Sequence, residues 1–372
     1  MNTYYEENKA LLDCLQNNVH MEVIHNLEMA VKDIPDPVSG TGLDPRIYEI
    51  RKSEELAGNP LAEYLEIPVK LIREQPGYPN RDITSGEIVA ERRTIDGRNG
   101  EIPIFLFHPA KSADIGKPRP AMVFIHGGAF IAGGTKVVEN FCRLLAELAD
   151  MVVIGVDYRL SPEHHFPVGL YDCYDTVNWV YEHATELSVR KECIAVGGDS
   201  AGGTLAIGCS ILEQGLIRKN RICYEALLYP GVLVDNFRLE DYRWRMSDYD
   251  IRDEDTFAAS ATVSLKALTA EMPLLYMGEE GHVRNPLAAP LCQESLFGLP
   301  ETLMILCEYD YLRLSGEAFG RKMQRDGVRA RTVLYRGMDH AFIDKIGDCP
   351  QAYDVGVLIA GDIRRICGNL IF

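Results

Sequence analysis

From residue 121 to residue 335, short apolar runs alternate with stretches of helical period, and few folds accept that order. The runs at 121–125, 151–156, 193–196, 225–229, 302–307 and 332–335 are too short for typical helices and mostly apolar, as strands buried on both faces are. Helical spacing predicts helices near 137–149 and 171–183, and another after Ser200. Such strands need helices above and below them, so the chain reads as an α/β protein with a mostly parallel sheet. Two β-type runs at 87–94 and 102–107 flank Asp96-Gly97-Arg98-Asn99-Gly100, which predicts an antiparallel hairpin at the start of that sheet.

A length of 372 residues exceeds the needs of one compact core, so a smaller element beside the main domain is expected. Residues 1–75 carry acids between apolar positions at helical spacing, such as Leu11, Leu12 and Leu15, and read as an N-terminal helical segment. Residues 76–372 then form the main domain. Within it, at about 233–277, the β-runs stop and a charged, aromatic stretch leads into an Ala/Leu-rich helical one, which reads as an insertion.

The net charge of −17 repels polyphosphate and anionic lipid, so neither nucleic acid nor a membrane is an expected partner. The opening MNTYYEENKA lacks the basic flank and apolar run of a secretory signal, and no stretch reaches the length of a membrane span. The ten scattered cysteines form no C-x-x-C pair, and a reducing cytoplasm suits them better than a disulfide framework. Spacing of the kind that holds zinc is missing too, so no metal is expected.

The chemistry concentrates at Gly198-Asp199-Ser200-Ala201-Gly202-Gly203, between an apolar run and a helical one. A serine on a sharp strand-to-helix turn needs small neighbours, and the turn lifts its hydroxyl above the sheet. The helix start leaves the N–H of Ala201 free to meet a carbonyl oxygen that turns negative during acyl transfer. About 70 residues upstream, His126-Gly127-Gly128-Ala129-Phe130 follows another apolar run, and its glycines let further N–H groups face a cavity. A phosphate loop is the rival reading of residues 128–135, but Gly134 occupies the slot that needs lysine.

A serine hydroxyl is a weak nucleophile and needs a base, which in turn needs a carboxylate to fix its tautomer. His340 follows the run at 332–335, and Asp310 follows the run at 302–307, where open α/β sheets place their sites. Glu308, two positions earlier, competes with Asp310 for the acid's role. His126 is better suited to holding its own loop, and His164 and His165 to packing in a Pro-flanked segment. No cofactor is needed for such chemistry.

Together these segments resemble the hormone-sensitive lipase family of esterases, within the α/β-hydrolase fold. The resemblance runs from about residue 87 to the C-terminus. It rests on residues 126–130, Asp157-Tyr158-Arg159-Leu160-Ser161-Pro162-Glu163, residues 198–203, Glu308-Tyr309-Asp310-Tyr311-Leu312-Arg313 and Gly337-Met338-Asp339-His340-Ala341-Phe342. It implies a mostly parallel eight-stranded sheet flanked by helices, a triad of Ser200, Asp310 and His340, and an oxyanion hole of the Gly127, Gly128 and Ala201 N–H groups. A helical cap would be built from residues 1–75 and 233–277, with Arg159 and Glu163 as scaffold. Ala129 stands where the family has a third glycine, and its N–H is left unassigned. The implied substrate is a small carboxylic ester of short to medium acyl chain; acetylated sugars, small amides and a non-catalytic receptor role are the alternatives. Relatives commonly pair through an edge strand, so a homodimer is among the expectations.

Overall fold

The computed structural model describes residues 3–38, 41–56, 69–74, 77–111, 117–217 and 221–368. In chain order the elements begin with helices α1 (Thr3–Glu7) and α2 (Lys9–Asn17), strands β1 (Val19–Ile24) and β2 (Leu27–Lys32), and helices α3 (Pro45–Leu56) and α4 (Val69–Arg73). Strands β3 (Ile88–Gly97), β4 (Gly100–Pro109) and β5 (Arg119–Ile125) follow, then α5 (Thr135–Ala149), β6 (Val152–Val156), α6 (Val168–Glu182) and β7 (Val189–Asp199). The remainder is α7 (Ala201–Ile217), β8 (Ile222–Leu228), α8 (Thr256–Val263), α9 (Lys266–Leu275), β9 (Glu301–Tyr309), α10 (Arg313–Arg325), β10 (Ala330–Asp339) and α11 (Pro350–Gly368).

The strands form one sheet in the order β1-β2-β10-β9-β8-β7-β5-β6-β4-β3. From β2 to β6 every neighbour is parallel, while β4 and β3 are antiparallel at one end and β1 at the other. Alternate side chains of β5 enter different cores: Ala121, Val123 and Ile125 pack with α6 and α7, Met122 and Phe124 with α5 and α11. Burial on both faces explains why these strands are apolar throughout rather than alternating.

Among the described residues ten strands stand where the resemblance implied eight. The extra two come from residues 1–75, which are therefore not wholly helical: β1 and β2 form a hairpin whose second strand pairs with β10. The signal was present in the sequence. Val19-His20-Met21-Glu22-Val23-Ile24 alternates, and the two-residue turn His25-Asn26 takes positive φ at both positions, the geometry that hairpins prefer. Inside the sheet Lys32 is buried, 2.5 Å from Asp354 of α11, whose other proton donor is the Tyr335 hydroxyl.

Among the described residues no helix is long and apolar enough to cross a membrane.

Candidate active site

Strand β7 ends at Asp199, and Ser200 takes φ 54 before α7 starts at Ala201. That left-handed turn depends on the flanking glycines. A Cβ on Gly202 would strike the carbonyl of Ile125, and one on Gly198 would lie 2.5 Å from the same oxygen. Close approach of α7 to β5 thus excludes side chains there, and the serine is thrown clear of the sheet.

His340 lies directly beyond β10 and Asp310 directly beyond β9, so adjacent parallel strands deliver both to the same sheet end. His340 Nδ1 is 2.7 Å from Asp310 Oδ2, and His340 Nε2 is 2.9 Å from Ser200 Oγ. With its Nδ1 proton donated to the carboxylate, the ring leaves Nε2 as acceptor for the serine hydroxyl. The other carboxylate oxygen of Asp310 accepts the N–H of Leu312 at 2.9 Å, and its carbonyl accepts the Tyr249 hydroxyl at 2.8 Å. Tyr229 meets the imidazole edge-on at 4.9 Å. Burial by itself would lower the His340 pKa, but Asp310, with Asp199 and Asp339 adding to it, holds the imidazole above the ordinary histidine value.

Glu308 is turned to other work. It accepts from Arg336 at 2.7 Å and from the N–H of Gly337 at 2.8 Å, which fixes the end of β10. Asp339 is fully buried and holds Arg51 of α3 by charge and hydrogen bond, with Lys345 at 3.6 Å. The Arg51 partner was not legible beforehand, because α3 and β10 are distant in sequence.

The expected oxyanion donors divide. The N–H of Gly127 is donated to Asp199 Oδ1 at 2.8 Å, a buried bond that removes it from the set and corrects the sequence expectation. Burial, with Asp344 nearby, pushes the Asp199 carboxyl up to about 8. For the N–H groups of Gly128 and Ala129 no acceptor is found among the described residues. Gly128 has φ 114, Ala129 φ 52 and Phe130 φ 63, a left-handed run that turns this loop over the serine end of the sheet. Ala201 opens α7, so its N–H lacks an acceptor inside the helix.

His126 anchors the loop as expected, its ring stacked 4.3 Å from Tyr158 and its Nδ1 2.7 Å from the Gly127 carbonyl. Arg159 binds Asp172 at 2.6 Å, and Glu163 binds Arg73 of α4 at 2.7 Å. Arg73 also donates to the carbonyls of Ile131 and Ser161, at 2.6 and 2.7 Å, so the N-terminal region reaches the glycine loop. The ring of Phe130 stacks on Tyr276, at the end of α9, with centroids 3.7 Å apart. A cavity of about 870 Å³ opens here, lined by Ser200, His340, the glycine loop, Glu49 and Arg51 of α3, and Leu265 and Leu268 near the start of α9.

Known proteins resemble this chain in sequence and fold. A family described as the alpha/beta hydrolase fold matches residues 122–344. An arylesterase of Saccharolobus solfataricus is 31% identical over 267 residues, 72% of this chain and 80% of its own. The carboxylesterase NlhH of Mycobacterium tuberculosis is 29% identical over 260 residues, covering 69% of this chain and 76% of that protein. Among solved structures, a hyperthermophilic esterase from the archaeon Pyrobaculum calidifontis superposes with a TM-score of 0.71 at 29% identity, over 88% of this chain and 99% of that one.

Proposed function

The chain belongs to the α/β-hydrolase fold family, as an esterase of the hormone-sensitive lipase type that hydrolyses carboxylic esters, and from that premise we propose that Ser200, His340 and Asp310 carry the reaction. The observation that carries this is the pair of contacts from one imidazole, 2.9 Å to the serine and 2.7 Å to the aspartate. His340 Nε2 takes the hydroxyl proton as Oγ attacks the ester carbonyl, and Asp310 stabilises the imidazolium that results. The tetrahedral oxyanion is met by the N–H groups of Gly128, Ala129 and Ala201. His340 then gives its proton to the departing alcohol. Water, deprotonated by the same nitrogen, attacks the acyl-serine, and collapse of the second tetrahedral intermediate frees the acid and restores the hydroxyl.

Helices α3 and α4, with residues 233–277, act as a cap, a reading supported by the cavity-lining positions Glu49, Arg51, Ile72, Leu265 and Leu268. A pocket closed in this way suits acyl chains of roughly two to eight carbons. All ten cysteines are free, which favours a reducing cytoplasm as the working compartment.

Wild-type protein should release p-nitrophenol from the butyrate ester faster than from the palmitate and take up a fluorophosphonate label. Ser200→Ala should lose both activities. Labelling or hydrolysis that survives in Ser200→Ala would sink the assignment.

A further inference from the structure

Asp310 stands in a turn beyond β9, so whatever holds that turn decides whether its carboxylate reaches His340. A loop places a side chain less firmly than a strand does, and a displacement of about 1 Å in a reacting group can cost about 10²-fold in rate. Three consecutive residues of the stretch 233–277, namely Asp248, Tyr249 and Asp250, close on this turn. Arg313 donates from Nη1 to the carbonyl of Glu308 and from Nη2 to that of Asp248, each at 2.8 Å. The Tyr249 hydroxyl donates to the Asp310 carbonyl at 2.8 Å, with the Tyr311 carbonyl at 3.4 Å. Tyr309 sends its own hydroxyl back to the Asp250 carbonyl at 3.4 Å.

Tyr249 is the member of this set that bonds to the triad acid itself. It is buried, and the Arg313 guanidinium lies over its ring at 4.4 Å, which holds the phenol by its face while the hydroxyl engages the turn. Two donors meet the Asp310 carbonyl: the Tyr249 hydroxyl, and the N–H of Arg313 at 3.1 Å. The N–H belongs to the turn and moves with it. The hydroxyl comes from a position 61 residues away and ties the turn to a separate segment. Tyr249 is not among the described residues that line the cavity, so its action falls on the acid and not on substrate.

We propose that Tyr249 is a positioning residue whose hydroxyl fixes the turn at 310–312 and so keeps Asp310 within reach of the His340 ring. The stretch 233–277 thereby supports the triad as well as covering substrate. The proposal rests on the reading of Ser200, His340 and Asp310 as the triad.

Tyr249→Phe keeps the ring beneath Arg313 and leaves the Asp310 carbonyl its bond from the Arg313 N–H, so the fold should hold and the melting temperature should stay within a few degrees of wild type. On p-nitrophenyl butyrate, with active sites counted by fluorophosphonate label, kcat should fall about tenfold at an unchanged KM. In an Asp310→Asn background the same substitution should change kcat by less than about twofold, because the carboxylate it positions is already gone. A substitution that merely loosened the fold would lower both proteins alike. Against the lowering effect of burial, Asp310, ahead of Asp199 and Asp339, raises the His340 pKa above its ordinary 6.5; Asp344 and Tyr229 also face the ring, and of these groups the Tyr249 hydroxyl reaches Asp310 alone. A looser Asp310 lets that value drop, so the acid limb of kcat/KM in Tyr249→Phe should move to lower pH. A further readout needs no turnover: the low-field proton NMR signal of His340 Nδ1–H, expected in wild type, should broaden or move upfield in the variant. Unchanged kcat and acid limb in Tyr249→Phe, or an equal loss of kcat in the Asp310→Asn background, overturns the proposal and leaves the triad standing. An insoluble Tyr249→Phe overturns it too, since the bond would then be carrying the fold. Wild-type turnover in Asp310→Asn alone would overturn both readings together.

Discussion

His340 stands 140 residues from Ser200 and 30 from Asp310, yet its two nitrogens reach both, and the consequences at this scale are electrostatic. Asp310→Asn should lower kcat by roughly 10³- to 10⁴-fold through loss of the correct tautomer, with the thermal unfolding midpoint little changed. Glu308→Gln should show the opposite balance. Losing charge-assisted bonds to Arg336 and Gly337 costs about 1–3 kcal/mol of stability, read by urea titration, while kcat stays within about tenfold. Neutral imidazole is the active form, and the folded protein holds the His340 pKa above the usual histidine value. The acid limb of kcat/KM should therefore lie above the pH of an unperturbed histidine, with activity lost as pH falls through it. The proposed triad could be picked out because each member follows an apolar run within a few residues. The claim of Asp199 on the Gly127 N–H was not, since it depends on how closely two loops approach.

At the scale of elements, glycine decides how near α7 can lie to β5. Gly202→Ala would drive a Cβ into the Ile125 carbonyl, and poor soluble yield or a sharply lowered melting temperature is the expected result. The β1–β2 hairpin is pinned to α11 by the buried Lys32–Asp354 pair. Lys32→Met should cost about 3 kcal/mol because it leaves Asp354 charged and short of a partner, whereas removing both charges together should recover most of the loss in urea midpoint. Alternation and a two-residue turn mark the hairpin in residues 19–32, but neighbouring helical spacing masks them unless the turn is weighed first.

For the whole molecule, the charge of −17 and a set of buried acids act in the same direction. Glu225 is fully buried between Ser210 and Thr302, and burial pushes its pKa up to about 7. The folded state thus holds a proton that the unfolded chain releases near the ordinary 4.5, so stability is full below that value and falls as pH rises through about 7. Denaturation midpoints should decline from about pH 5 to pH 8, and Glu225→Gln should flatten the slope. The order of strands and helices from about residue 87 onward, the strand-to-helix turn at Ser200 and the chain order serine, aspartate, histidine were all present in the sequence itself, because period, glycine spacing and apolar runs are local properties. Tertiary structure alone decided which carboxylate faces the imidazole, which N–H groups remain unengaged, and that residues 19–32 extend the sheet. Each of these is settled by contact between segments far apart in the chain, and local pattern carries no record of the angle at which two elements meet.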